Sequence, residues 1–96
     1  GFEMIGRRVI VTTSHRGVFF GTLAADGGDS VMLQDARNIL RWGPDTRGFL
    51  GLAATGPSPD SLVGPAVPEL SLRGITSVTR CTDIAVAAIE AGPWKR

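Results

Sequence analysis

Between Arg8 and Trp42 the chain sets four short runs of β-branched and aromatic residues one after another, each closed by a turn or irregularity too short to hold a helix. Arg8–Thr13 and Val18–Ala25 flank the turn Ser14-His15-Arg16-Gly17. Ser30–Gln34 follows Asp26-Gly27-Gly28-Asp29, where glycine supplies the positive φ of a tight hairpin. Arg37–Trp42 follows a bulge expected at Asp35-Ala36, and Gly21 in mid-strand marks a bend or a close backbone approach. Strands joined this closely pair antiparallel. The pattern therefore predicts a mainly β (α+β) fold: a strongly bent antiparallel sheet of about five strands with one or two short helices, one of them C-terminal.

The second half completes that sheet. Gly43-Pro44-Asp45 breaks it, and a short helix is expected over Arg47–Thr55, weakened by Gly48 and Gly51 and stopped by Gly56-Pro57. Pro57–Pro68, with four prolines and no periodicity, reads as a surface loop. Glu69–Arg80 reads as one long strand with a bulge at Arg73-Gly74. Thr82 caps a last helix, Asp83–Ala91, with Ile84 and Ala88 as its packing stripe and Gly92-Pro93 as its stop; Trp94 tucks back onto the body. One domain, residues 4–96, is expected, with residues 1–3 read as a cloning remnant.

Composition narrows the chemistry. A formal net charge of +1 excludes the broad basic field of a general nucleic-acid binder. Nine of the ten basic residues are arginine, which a GC-rich genome alone produces, but arginine is also the fork that meets phosphate in two places. The one cysteine, Cys81, cannot make an internal disulfide and reads as an inert packing residue of a reducing compartment. No apolar run approaches the roughly 18 residues of a membrane span. His15 sits in a turn without metal-ligand neighbours, and Asp26 and Asp29 shape their hairpin. Neither a nucleophile–base pair nor a phosphate loop is recognisable, so no catalytic residue, metal or cofactor is expected and binding is the default.

Binding candidates cluster between Ala36 and Pro57. Alternation along Arg37–Trp42 puts Arg37, Ile39 and Arg41 on one face and Asn38, Leu40 and Trp42 on the other. Asn38 on an apolar face satisfies either the neighbouring bulge or a ligand's polar edge. Trp42 is either core or a stacking platform. Arg47 beside Phe49, with glycine on both sides of the ring, offers a guanidinium for phosphate and an aromatic face for a base; the alternative is a plain core phenylalanine. Arg73 completes the candidate set of Arg37, Asn38, Arg41, Trp42, Arg47, Phe49 and Arg73.

Two resemblances follow from longer stretches. Gly17–Ala36 with Leu72-Arg-Gly-Ile75 resembles the two signature segments of Sm-like RNA-binding proteins. The uridine-binding loop residues are not recognisable, and a long glycine- and proline-rich insertion separates the segments, so the likeness reads as the shared geometry of a bent sheet. From Met4 onward the chain is also similar to a family of small phage proteins, through Val9–Val11, Gly17–Leu23, Asp35–Trp42, Gly48–Pro57, Val67–Leu70, Cys81–Asp83 and Pro93-Trp94. That family includes or adjoins the Thoeris anti-defence sponges. The resemblance implies an immune-evasion protein of the host bacterial cytoplasm that sequesters a cyclic nucleotide messenger, glyco-cyclic ADP-ribose or a cyclic oligonucleotide, without cleaving it. It also implies a homo-oligomer, dimer or hexamer. The rival expectations are an Sm-like RNA-binding module and a small phage structural or assembly protein.

Overall fold

The computed structural model describes residues 4–15, 17–41, 48–58 and 61–91. Its elements run β1 (Arg8–Thr13), β2 (Val18–Asp26), β3 (Ser30–Arg41), α1 (Gly48–Thr55), β4 (Leu62–Val63), β5 (Val67–Arg73), β6 (Ile75–Arg80) and α2 (Asp83–Ala91). They form a six-stranded antiparallel sheet in the order β4-β3-β2-β1-β6, with β5 pairing β3 beside β4. The expected mainly β fold with a C-terminal helix is the observed one. Trp42, Arg47, Trp94 and the breaks at 43–45 and 92–93 lie outside the described residues.

Three expectations need correction. The third and fourth runs are one strand, β3, that passes through the bulge unbroken because β5 pairs with it in constant register from Ser30 to Ala36. The expected single strand over Glu69–Arg80 is two: Gly74, at φ 68°, turns the chain so that β5 pairs β3 while β6 crosses to pair β1. The loop expected over Pro57–Pro68 contains β4 and the first residues of β5, paired to β3 despite Pro68. Proline removes a donor only on its own side of a strand, and β5 is a sheet edge.

Two clusters of buried side chains lie on opposite faces of the bent sheet, and β1 serves both. Val9 and Val11 enter one with Leu23, Val31, Leu33, Ala36 and Leu72, while Ile10 enters the other with Phe20, Ile39, Leu52, Val63, Ala85 and Ile89. Burial on both faces is why β1 reads as a continuous apolar run. The second cluster fills the space under the helices.

The bulge at Asp35 decides which way the rest of β3 faces. Asp35 has φ 51°, and the register against β2 slips by one residue there. Val31 and Leu33 therefore share a cluster with Ala36 rather than with residue 35, and Ile39 turns to the helical side. One extra residue has exchanged the two faces. Gly21 sits opposite, buried, where an added Cβ would lie 3.0 Å from the Gln34 carbonyl and 3.1 Å from the Leu33 Cβ. The close approach expected at Gly21 is the one the bulge creates.

The helices meet through small residues. Thr82 Oγ1 accepts the Ala85 N–H at 3.1 Å, the expected cap, and also donates to the Ala54 carbonyl at 2.6 Å, tying the end of α1 to the start of α2. The packing stripe of α2 is Ala85 and Ile89, both fully buried, rather than Ile84, which is 69% exposed. Thr82 fixes this rotation by holding the first turn of α2 against α1.

Candidate functional site

The end of β3 beyond the bulge carries three of the predicted residues, and they do different things. Arg37 shares the inward face of Ile39. Its Nε donates to the Gly64 carbonyl at 2.7 Å and its Nη1 to the Ile89 carbonyl at 3.2 Å. One guanidinium thus joins β3, the segment after β4 and the last turn of α2, the helix end whose dipole favours a cation. Arg37 is a clamp within the fold.

Asn38 and Leu40 point the other way. Both are exposed, Leu40 to 58%, so the face expected to bury Asn38 is solvent-facing. The Asn38 backbone carbonyl accepts the Gly64 N–H at 2.8 Å, and the residue itself is exposed. Arg41, exposed, closes the strand opposite Leu62. Asn38, Leu40 and Arg41 therefore present an amide, an apolar surface and a guanidinium at one end of the sheet, leading into the segment that holds Trp42 and Arg47.

Arg73 is elsewhere. It pairs with Ser30, at the opposite end of β3 from Arg41. Eleven residue steps of the bulged strand separate those ends, so Arg73 and Arg41 sit at opposite ends of β3. Around Arg73 the β2–β3 turn is acidic: Asp26 Oδ1 accepts the Gly28 N–H at 2.9 Å, and the Asp29 carbonyl accepts the Ile75 N–H at 3.2 Å.

Phe49, on α1, is partly buried and packs against the cluster that contains Ile10, Leu52 and Ile89. Phe49→Ala is expected to cost about 1–3 kcal/mol of stability, below the roughly 3–5 kcal/mol of a fully buried phenylalanine, with ligand affinity unchanged. Thermal unfolding and affinity measured on the same variant check this; lost affinity at an unchanged midpoint would assign the ring to a ligand.

Cys81 is buried, and desolvation pushes its thiol up to about 12, opposed by the smaller effect of the Arg8 charge. The thiol is therefore held in its protonated form at neutral pH. Its surroundings were missed from the sequence. Arg7, Arg8 and Arg80 converge beside it because β1 and β6 pair antiparallel, with Val9 opposite Arg80. Only the pairing of β1 with β6, distant in sequence, brings these arginines together.

A family model described as a domain of unknown function, DUF6948, matches residues 6–89. The chain belongs to the DUF6948 family. No curated protein matches this DUF6948 chain. Among solved structures it is similar to a heptameric archaeal Sm protein, described for its implications for the eukaryotic snRNP core, with a TM-score of 0.55 and 18% identity over 82% of this chain and 91% of that one. At that identity the likeness is one of fold. No helix among the described residues is long and apolar enough to cross a membrane.

Proposed function

We propose that this DUF6948 protein is a homo-oligomeric nucleotide-binding protein that holds a cyclic nucleotide immune messenger without cleaving it, as a phage product acting in the host bacterial cytoplasm. The observation that carries the binding site is the exposed end of β3, where Asn38 and Leu40 form an outward row and Arg41, also exposed, ends the strand. An amide for a base edge, an apolar contact and a guanidinium for phosphate are the groups a compact anionic ligand requires. The choice of a cyclic nucleotide messenger as ligand rests on the resemblance of Val9–Val11, Gly17–Leu23, Asp35–Trp42 and Gly48–Pro57 to the small phage proteins.

Assembly is supported by the sheet edges. In the described structure β5 pairs only β3 and β6 pairs only β1, so each leaves an outer edge able to take a strand from a neighbouring copy. The archaeal Sm neighbour is a heptamer. Light scattering on the protein, alone and after co-elution with a panel of cyclic nucleotides, tests both parts; a strict monomer that carries no messenger would overturn the reading.

The Sm-like sheet favours a second reading, single-stranded RNA binding. The net charge of +1 and the carboxylates of Asp26 and Asp29 at the β2–β3 turn weigh against it. RNA affinity falls steeply with salt, whereas a ligand held by one or two charge contacts loses far less. Titration at two salt concentrations separates the readings.

A further inference from the structure

A cleft at the start of β1 has the makings of a second ligand site. Gly6, Arg7, Arg8, Arg80, Cys81, Asp83 and Val86 line a hollow of about 270 Å³. A neighbouring hollow of about 340 Å³, lined by Arg80, Cys81, Thr82 and Asp83, shares three of those residues and extends it. The charges around the cleft are not equivalent. Arg8 is engaged: its guanidinium pairs with Glu90 and lies 5.6 Å from the centroid of the Phe20 ring. The guanidinium groups of Arg7 and Arg80, both exposed residues, have no hydrogen-bond or ion-pair partner among the described residues, and neither has the exposed carboxylate of Asp83.

We infer that this cleft binds a phosphorylated sugar, with Arg7 and Arg80 gripping the phosphate and Asp83 accepting hydrogen bonds from the sugar hydroxyls. Two free guanidinium groups facing one hollow suit a dianion. The carboxylate beside them is a poor neighbour for a bare anion, because it only accepts hydrogen bonds and repels negative charge. It suits a ligand that brings hydroxyl donors next to its phosphate. Val86, half-buried, supplies an apolar wall for the carbon skeleton. None of these residues belongs to the outward row of β3, so the site stands whether or not that row holds a messenger.

The test uses ribose 5-phosphate, inorganic phosphate and ribose as probes on isotopically labelled protein followed by NMR. Ribose 5-phosphate is expected to bind more tightly than phosphate, ribose not at all, and the shifted amides to centre on Arg7, Arg80 and Asp83 and spare the β2–β3 turn. Arg80→Gln, an exposed change, weakens ribose 5-phosphate by about tenfold. Asp83→Ala separates a sugar-phosphate site from a plain anion site: it weakens ribose 5-phosphate while strengthening inorganic phosphate. Equal binding of the two phosphates, strengthening of both by Asp83→Ala, or no binding of ribose 5-phosphate would each overturn the assignment. Those outcomes leave messenger binding at the end of β3 to be judged separately.

Discussion

Replacing Arg37 by alanine is expected to lower stability by about 2–4 kcal/mol, because two carbonyls lose charge-assisted donors together. The Gly64 and Ile89 carbonyls that Arg37 bonds lie on different elements, so the substitution loosens the segment after β4 and the end of α2 at once. Part of the loss is recovered by water, since Arg37 is only half-buried. Arg37→Lys should recover less than half of it, for a single ammonium lacks the planar fork that spans two acceptors. Urea unfolding of both variants provides the measurement. Wild-type stability in Arg37→Ala with abolished messenger binding would instead place the guanidinium in a ligand site.

Gly56→Ala is expected to cost about 3–4 kcal/mol, from two causes that add. Gly56 ends α1 at φ 88°, with its N–H donating to the Leu52 carbonyl at 3.0 Å, and any Cβ there is strained. That Cβ would also lie 2.5 Å from the Ala88 Cβ, so α2 must move away from α1. Gly28→Ala is the control: φ there is 87°, but an added Cβ meets nothing within 4 Å. It should cost about 1–2 kcal/mol, the strain alone. Equal losses at the two positions would mean that the helices do not pack as closely as described.

What was legible in the sequence follows from the range over which each signal acts. Local punctuation worked: the Gly27-Gly28 turn, the Asp35 bulge, the Gly56 stop and the Thr82 cap all depend on near neighbours, and each is where the residues place it. Pairing was harder to read. Alternation either side of Gly74 is the same for one bulged strand as for two strands that leave in opposite directions, and only the sheet decides between them. The face of Arg37 has the same origin. Its alternation with Ile39 was visible, but that this face turns inward depends on the extra residue at Asp35 and on a helix 52 residues away supplying the Ile89 carbonyl. Stripe selection on α2 held for Ala88, which meets the end of α1 at Gly56, and failed for Ile84 for a related reason: Ile84 is the more apolar residue, yet the joint at Thr82 turns the smaller Ala85 toward α1. Of the candidate site, the shared face of Asn38 and Leu40 was legible by alternation, which sets Arg41 on the other face, whereas the placement of Arg73 at the far end of β3 from Arg41 required the register of β5.

The most direct test of the central claim is to recover the ligand. The protein is incubated with glyco-cyclic ADP-ribose and a panel of cyclic oligonucleotides, separated from free ligand, denatured by heat, and the released material is identified by mass. A protein that binds and holds its messenger returns one member of the panel intact, in a fixed ratio to protein chains and independent of incubation time. Release of linear or hydrolysed product growing with time and protein concentration, or retention of no member of the panel, would contradict the account.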